Sequence, residues 1–302
     1  MIRDKLIIGS RGSKLALIYA NKVKKQIMEN LSIRVEIKTI VTEGDINQKD
    51  RLSEVGGKGM FSKKIETELL KNNIDLAVHA LKDMPSVETQ GLITNCFLKR
   101  NYPNEILISK HNIKFNELEP KSIIGTSSFR REYQLQNKRK DLIYKLIRGN
   151  VDTRIKKLND GLYDAIILSK AGIDSLNLNQ HITQEFSVEE IIPSVGQGVI
   201  AVQCRKNDDE ICEILKKINH KATSICVTAE RELLKTLEGD CNTPVGAISI
   251  INGDHVQLSV ELFSVDGKNR YFFKDTKSLN LAKELGNEIG EVLKEKSKGS
   301  YK

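Results

Sequence analysis

The chain has 302 residues and a formal net charge of +8, from 48 lysines and arginines against 40 aspartates and glutamates. This length allows two or three domains with hydrophobic cores of their own, and the charge is compatible with an acidic small molecule, an anionic surface or nucleic acid. A nucleic-acid partner is not expected, because aromatic residues make up only 5% of the chain, tryptophan is absent and acidic residues are interspersed among the basic ones.

The sequence predicts neither a membrane anchor nor an export signal, and therefore a cytoplasmic protein. No apolar run approaches the roughly 20 residues of a transmembrane helix, and the N-terminus lacks the apolar stretch of a signal peptide. The five cysteines are odd in number and include no CxxC pair, so we expect neither disulfides nor a metal site. Four of them lie in periodic apolar segments, where cysteine is usually a small buried hydrophobic residue: Cys96, Cys204, Cys212 and Cys226.

Short apolar strands alternate with amphipathic helices through the first two thirds of the chain. Such alternation is typical of α/β proteins. A second series begins near residue 100, which indicates two α/β lobes. The first lobe has predicted strands at 6–9, 35–41 and 76–81, with helices at 13–29 and 62–72. The second has strands at 105–109, 122–125, 142–147 and 164–169, with helices that begin near Ser128 and Val151.

A further apolar strand is predicted at 199–204, after the glycine-rich segment SVGQG, with a helix at 208–219. The pattern leaves open which lobe this strand joins. Beyond it the chain changes character, with a helix at 222–237, three β runs and a helix at 280–296. Asn-Gly and Asp-Gly between the β runs are typical of hairpin turns, so a small α+β domain with a three-stranded antiparallel sheet is predicted. The basic tail at 294–302 is expected to be a frayed end.

Four arginines lie in two short segments, GTSSFRR at 125–131 and RGNVDTR at 148–154. Each segment is predicted to leave a strand and begin a helix, so that free backbone N–H groups, hydroxyls and guanidinium groups converge. This favours a site for several carboxylates or phosphates, although the solvated faces of two amphipathic helices would fit the spacing equally well. The candidate residues are Thr126, Ser127, Ser128, Arg130, Arg131, Arg148 and Arg154.

The strand predicted at 76–81 ends in Lys82 and Asp83. Ligands of open α/β sheets bind beyond the carboxyl ends of strands, so Asp83 could stabilise a cation or transfer a proton. The alternative is an ordinary exit from a strand into a loop. His79, within the same strand, is predicted to be a buried core histidine.

Three further segments contain candidate residues. VGGKGMF at 55–61 fits neither a phosphate-binding P-loop nor a dinucleotide motif, but its glycines favour a mobile lid that carries Lys58 and Phe61. Near the N-terminus, Arg11 lies in a strand-to-helix turn with Ser13 as the predicted N-cap, which indicates a second anion site. Cys241 lies in a polar turn, LEGDCNTPVG, where its thiol could be a nucleophile or an attachment point, although a single loop cysteine is more often incidental.

Taken in order, seven segments closely resemble the motifs of the hydroxymethylbilane synthase family, whose members are also called porphobilinogen deaminases. The segments are GSRGSKLAL, VGGKGMF, AVHALKDMP, IGTSSFRR, RGNVDTR, SVGQG and LEGDCNTPVG. The resemblance covers nearly the whole chain and implies a cytoplasmic, monomeric transferase of tetrapyrrole and heme biosynthesis. Such an enzyme joins four porphobilinogen molecules head to tail, releasing ammonia and then hydroxymethylbilane, without a nucleic-acid or membrane partner.

The resemblance also implies roles for individual residues. The thiol of Cys241 would carry a dipyrromethane cofactor through a thioether, and Asp83 would be the catalytic residue. The residues that bind the cofactor would be Lys82, Asp83, Thr126, Ser127, Ser128, Arg130, Arg131 and Arg148. The residues that bind the incoming substrate would be Arg11, Ser13, Arg148, Arg154 and Gln197, while Lys58 and Phe61 would belong to the flexible lid.

The fold that the resemblance implies has two periplasmic-binding-protein-like α/β lobes and a small α+β C-terminal domain with a three-stranded antiparallel sheet. The first domain would comprise residues 1–98, with 193–218 returning to it. The second would comprise 99–192, and the third, with the cysteine, 219–302.

Three residues depart from the family pattern: Ser175 where arginine is common, Ala80 in place of serine, and Asp240 in place of glycine. We expect them to affect affinity more than the type of reaction. A non-catalytic two-lobed receptor for an anionic metabolite would share the architecture, but it would leave the segment around Cys241 unexplained.

Overall fold

The structure is a computed structural model that describes residues 4–31, 33–46, 59–240 and 242–302. Within these ranges the chain forms two five-stranded mixed sheets and one three-stranded antiparallel sheet. The fold class is therefore as predicted, with two α/β lobes followed by a small α+β domain.

Strands and helices alternate along both lobes. In chain order they are β1 (Lys5–Ser10), α1 (Lys14–Asn30), β2 (Arg34–Thr39), α2 (Glu43–Ile46), α3 (Lys63–Leu70), β3 (Leu76–Ala80), β4 (Leu92–Phe97), β5 (Glu105–Ser109), β6 (Ile123–Gly125), α4 (Phe129–Lys138), β7 (Ile143–Lys145), α5 (Val151–Asn159), β8 (Ala165–Ser169) and α6 (Lys170–Ser175). After the short strand β9 (Gln184–Glu185) come β10 (Ile200–Arg205), α7 (Asp209–Ile218), α8 (Lys221–Thr236), β11 (Val245–Asn252), β12 (His255–Phe263), β13 (Arg270–Ser278) and α9 (Ala282–Ser297).

The first sheet has the strand order β2-β1-β3-β10-β4, and β10 is antiparallel to both of its neighbours. The strand that follows SVGQG thus lies in the first lobe, which the sequence pattern alone left open. The core of the first lobe includes Leu6, Val23, Val202 and Ile211, from the sheet and from helices α1 and α7. Helix α1 begins as predicted, because the Ser13 side chain accepts a hydrogen bond from the backbone N–H of Ala16.

The second sheet has the order β7-β6-β8-β5-β9, in which β5 is antiparallel to β8 and β9. Strand β7 is shorter than predicted and ends at Lys145, so that Arg148 lies in the loop before α5. Helix α4 begins where predicted, with the Ser128 hydroxyl accepting a hydrogen bond from Arg131 N. The carboxyl ends of β6 and β8 therefore lie next to the predicted anion-binding segments.

The third domain packs α8 and α9 against one face of the sheet β11-β12-β13. The two helices approach very closely at Gly286 and Gly290. A Cβ atom on Gly286 would lie 2.2 Å from the carbonyl oxygen of Ala229, and one on Gly290 would lie 2.6 Å from Cβ of Thr236. Glycine is therefore required at both positions of α9 by the close approach of α8.

A buried carboxylate connects the third domain to both lobes. Glu230 on α8 is fully buried, and its two oxygens each accept a hydrogen bond of 2.7 Å from the guanidinium group of Arg100. The same oxygens accept hydrogen bonds from the backbone N–H groups of Gly196 and Ser249, at 2.9 and 2.8 Å. Arg100 and Gly196 lie on the two segments that connect the lobes, and Ser249 lies in β11, so one side chain joins all three parts.

The end of the chain is not frayed, contrary to the prediction for the basic tail. Tyr301 is buried, and its hydroxyl donates a hydrogen bond of 3.0 Å to the carbonyl oxygen of Leu237. The ammonium group of Lys302 lies 2.7 Å from a carboxylate oxygen of Glu238. The prediction was wrong because these partners lie about sixty residues away in sequence and leave no local pattern.

Replacing Gly286 with alanine should destabilise the protein by about 1–3 kcal/mol, because the added methyl group must separate α8 from α9. Urea unfolding followed by circular dichroism measures this change. The control is Glu291→Ala on an exposed position of the same helix, for which a change within about 0.5 kcal/mol is expected. Equal stabilities of the two variants would contradict the close packing.

Candidate active site

A cavity of about 580 Å³ lies between the two lobes and the third domain. It brings together side chains that the sequence predicted as ligand-binding from separate segments. Those in its wall are Arg11, Ser13, Phe61, Lys82, Asp83, Ser127, Ser128, Arg130, Arg131, Arg148, Arg154 and Gln197. Thr126 does not line the wall: it is buried, and its hydroxyl oxygen accepts a hydrogen bond from Ser128 N. Lys58 and Cys241 lie outside the described residues.

The strand ends explain this convergence. Lys82 and Asp83 belong to a 3₁₀ turn, Leu81–Asp83, that directly follows β3. Ser127 and Ser128 follow β6, and Ser169 ends β8. The carboxyl ends of strands from both lobes therefore face one cleft, which is the usual place for ligands of open α/β sheets.

Arg130 and Arg131 share a buried carboxylate that the sequence did not predict. Glu105, at the start of β5, is fully buried, with oxygens 2.6 Å from Arg130 Nη2 and 2.8 Å from Arg131 Nη2. Burial by itself raises the pKa of a carboxylic acid, but the two guanidinium groups outweigh it and hold the Glu105 pKa well below its usual range. Arg130 Nη1 also donates a hydrogen bond to the carbonyl oxygen of Ile192. Glu105 thus fixes two arginines of the cavity wall in place.

Half-buried positive charge characterises the rest of the cavity. The Lys82 ammonium group lies 3.4 Å from Ser169 Oγ and 3.3 Å from Gln197 Oε1. Burial, together with repulsion from Arg131, lowers the Lys82 pKa to about 8. Burial and repulsion from two neighbouring arginines likewise lower the pKa of Arg154 to about 10. Cations that are held together at such a cost indicate a binding site for an anion with several charges.

Asp83 is a carboxylate that lines the same cavity as these cations. Its side chain is 35% exposed, and its Oδ2 atom lies 4.0 Å from Nη1 of Arg11. The charges of Lys82 and Arg154 also act on it. His79, in the strand β3 that precedes this turn, is buried as predicted. Burial lowers its pKa to about 4, so that its imidazole is neutral at pH 7. This burial excludes His79 from direct proton transfer in the cavity.

Residues on either side of position 241 reach the cavity from the third domain. Asp240, Asn242 and Thr243 all line the wall. The carboxylate of Asp240 accepts a hydrogen bond of 2.8 Å from Asn242 N, and Thr243 Oγ1 accepts one of 2.9 Å from Asp240 N. Asp240, one of the departures from the family pattern, therefore contacts both Asn242 and Thr243. Ser175 does not line this cavity but lies beside Tyr19 in a second one.

Among the helices that the structure describes, none combines the length and the apolar surface needed to cross a bilayer. Within the same part of the chain, no three side chains of histidine, cysteine, aspartate or glutamate form a group that could hold a metal ion.

Comparison with known families assigns nearly the whole chain. Residues 6–213 match the dipyromethane cofactor binding domain of porphobilinogen deaminase, and residues 224–295 match the C-terminal domain of the same enzyme. The chain belongs to the porphobilinogen deaminase family. The porphobilinogen deaminases of Bacillus subtilis (strain 168) and Geobacillus sp. (strain WCH70) are each 42% identical to it. These alignments cover 96% and 97% of this chain and 92% and 94% of the two relatives.

Two solved structures are also similar to the chain, at much lower sequence identity than these relatives. The periplasmic VFT2 domain of Bordetella pertussis BvgS is 12% identical, with a TM-score of 0.45 over 72% of this chain and 87% of that domain. An ancestral arginine-binding protein is 16% identical, with a TM-score of 0.40 over 72% of this chain and 92% of its own. Neither bears on what the cavity binds.

Replacing Glu105 with glutamine should destabilise the protein by about 3 kcal/mol at neutral pH, because two buried guanidinium groups lose their counter-charge. The Glu105 pKa is depressed in the folded state, so its contribution is present above the unfolded-state pKa of 4.5 and is lost as the pH falls towards about 2. Urea unfolding between pH 7 and pH 3 measures both effects. Glu185→Gln is the control, because Glu185, in strand β9 of the same sheet, forms a more exposed ion pair with Lys170 at the start of α6. Similar losses in the two variants would contradict this role of Glu105.

Proposed function

We propose that porphobilinogen units are joined in this cavity. Membership of the porphobilinogen deaminase family makes the chain a transferase of tetrapyrrole and heme biosynthesis. The reaction is that of a hydroxymethylbilane synthase, in which four porphobilinogen molecules condense head to tail and release ammonia, then hydroxymethylbilane. The observation that carries the proposal is the convergence of three cations, Arg11, Lys82 and Arg154, on the carboxylate of Asp83.

The cavity wall fits a dipyrromethane cofactor. The family's first domain is named for this cofactor, and each of its two rings carries carboxylate arms. Burial and, after it, repulsion from Arg131 lower the Lys82 pKa, and carboxylates beside these two residues would offset that repulsion. We propose a thioether to Cys241, since Asp240 and Asn242 on either side of it line the wall. When bound, the cofactor supplies a primer to whose free end pyrrole units are added.

Apart from the carboxylate of Asp83, the proposed cofactor-binding residues carry hydrogen-bond donors that lie at or just after the ends of β3, β6 and β7. Ser128 and its neighbours would donate hydrogen bonds, while the cations would pair with carboxylates. Thr126 would act through its hydrogen bond with Ser128 N rather than by direct contact. The full set is Lys82, Asp83, Thr126, Ser127, Ser128, Arg130, Arg131 and Arg148.

A second group of residues would hold each incoming porphobilinogen. Every added unit brings two carboxylates, so the finished chain of six rings has about twelve, which would repel one another without counter-charges. Arginine suits this task because its planar group binds a carboxylate through two hydrogen bonds. The proposed residues are Arg11, Ser13, Arg148, Arg154 and Gln197.

Asp83 is the proposed catalytic residue. Loss of ammonia from porphobilinogen leaves a positively charged methylene group, and a fixed carboxylate near the pyrrole N–H stabilises that charge as it develops. The same carboxylate can remove the proton from the newly coupled ring, and the carboxylic acid that results can give that proton to the next departing amine. The cationic side chains of the cavity would repel a positively charged intermediate. A carboxylate at the reacting carbon is needed to offset that repulsion.

The wider setting is also part of the proposal. We propose a monomeric, cytoplasmic enzyme that acts without nucleic-acid or membrane partners, with domains at 1–98 with 193–218, 99–192 and 219–302. The glycine-rich segment that carries Lys58 and Phe61 would be a lid. The contact of the Phe61 ring with the guanidinium group of Arg11, at 4.2 Å, supports a role for this residue next to bound substrate.

Asp83→Asn should preserve folding and cofactor attachment but lower the rate of ammonia release at least about a hundredfold, because the amide cannot transfer protons or balance the cation. Ammonia release from porphobilinogen measures the rate, and intact mass measures attachment. Asp152→Asn is the control: Asp152 is an exposed carboxylate of the same cavity wall that pairs with Lys14. A near-normal rate in Asp83→Asn would refute the catalytic role.

Intact mass spectrometry tests the attachment residue. We expect the wild-type protein to exceed its polypeptide mass by two pyrrole units and to gain further units stepwise when porphobilinogen is added. Cys241→Ser should show neither, whereas Cys212→Ser, a change in a half-buried cysteine, should behave as the wild type. A stepwise gain that persists in Cys241→Ser would move the attachment point to another residue.

A further inference from the structure

Asp45 and Phe61 hold the Arg11 side chain in place, and the proposed function assigns this role to neither of them. Its Nε and Nη2 atoms both donate hydrogen bonds to Oδ1 of Asp45, at 3.0 and 2.5 Å. The Phe61 ring covers the guanidinium plane, with 4.2 Å between Cζ of Arg11 and the ring centroid. The remaining terminal nitrogen, Nη1, lies 4.0 Å from Oδ2 of Asp83. The guanidinium group is therefore turned with one edge towards the proposed catalytic carboxylate.

Asp45 is itself anchored. Its second oxygen, Oδ2, accepts hydrogen bonds from the hydroxyl group and the backbone N–H of Thr42, at 2.7 and 3.1 Å. Thr42 is fully buried. Burial alone would raise the Asp45 pKa, but the hydrogen bonds from Arg11 and Thr42 outweigh it and keep this pKa below its usual value. Asp45 is thus a fixed anion throughout the neutral pH range.

The residues that surround Arg11 are packed as one unit. A Cβ atom on Gly44 would lie 2.1 Å from the Phe61 ring, so glycine is needed for the ring to lie where it covers Arg11. The backbone N–H of Gly44 also donates a hydrogen bond of 3.3 Å to the carbonyl oxygen of Met60. Helix α2, which carries Asp45, and the segment with Phe61 therefore hold Arg11 together.

We propose that Asp45 is a positioning residue for Arg11, an inference that rests on the proposed function because it takes Arg11 as a substrate-binding group. Free arginine side chains have many rotamers, and selecting one of them opposes binding. Asp45 makes this selection before the substrate arrives. It takes the Nε edge, Phe61 covers one face, and the Nη1 end remains beside Asp83 to bind a porphobilinogen carboxylate.

The geometry argues against a competing role in which Asp45 occupies the place of the substrate carboxylate and must leave. A group that has to leave would not be expected to have its other oxygen held by two hydrogen bonds from a buried threonine. The two roles predict opposite effects when Asp45 is removed. Positioning predicts weaker substrate binding, whereas competition predicts tighter binding.

Steady-state kinetics of the cofactor-loaded enzyme, followed by ammonia release, separate these roles. Asp45→Ala should raise KM for porphobilinogen on the order of tenfold, the effect of losing charge-assisted hydrogen bonds, while kcat changes by less than about twofold. Asp45→Asn should be intermediate, because its amide oxygen can still accept from Nε. Glu43→Gln removes a charge from an exposed position of the same helix and should leave KM unchanged. An unchanged or lower KM in Asp45→Ala would overturn the proposal.

A double-mutant cycle tests whether Asp45 acts through Arg11. In the Arg11→Ala background the further change Asp45→Ala should have no effect on KM, because there is no guanidinium group left to position. Independent, multiplying effects of the two changes would show that Asp45 contributes by another route.

Chemical labelling reports on Arg11 without using activity. Phenylglyoxal should modify Arg11 several times faster in Asp45→Ala than in the wild type, as measured by peptide mass spectrometry. Arg139, which pairs with Asp141, is the internal reference and should react equally in both. Equal labelling of Arg11 would overturn its restraint by Asp45. If the wild type released no ammonia, the proposed function and the substrate part of this inference would both fail, even with the expected labelling.

Discussion

The structure depends on one buried carboxylate, that of Glu230. Both segments that connect the lobes and one strand of the third domain converge on its two oxygens, through Arg100, Gly196 and Ser249. A buried charge without partners is strongly unfavourable, so the Glu230 carboxylate needs the hydrogen-bond donors from all of these segments. The cavity lies among the same three parts. Its shape is therefore set by a junction that contributes no group to its wall.

Two other acidic residues, Glu105 and Asp83, differ in burial, and this difference determines whether the carboxylate can contact a ligand. Glu105 is fully buried and forms ion pairs with Arg130 and Arg131, at 2.6 and 2.8 Å. Asp83 is about one-third exposed and lies 4.0 Å from Arg11, so its carboxylate remains accessible to a ligand. The first carboxylate supplies the counter-charge that allows two guanidinium groups to be buried. In the proposed mechanism, the second meets the positive charge that develops during the reaction.

Local sequence patterns predicted features that local chemistry determines. Ser13 and Ser128 are N-caps because their hydroxyls accept hydrogen bonds three residues ahead. Pairing between residues far apart in sequence was missed, as for Glu105 with the arginines 25 and 26 residues later and for Tyr301 with Leu237. Strand β4 was also missed: Thr94 and Asn95 interrupt its apolar run, and the neighbouring strand that buries Thr94 comes a hundred residues later. The position of the cavity could be predicted because strand ends can be located from local patterns. The ion pairs within it could not be located in this way.

Helix α8 faces two ways, and this has a consequence for variants outside the cavity. One side packs against α9 at Gly286 and Gly290, and the helix also carries Glu230 to the junction of the lobes. A destabilising change in the α8–α9 interface would thus be transmitted to the whole assembly of lobes rather than to one domain. Molecules that still fold would have an unaltered cavity. Such a variant would present as a shortage of enzyme, with reduced maximal velocity per cell and an ordinary affinity for substrate.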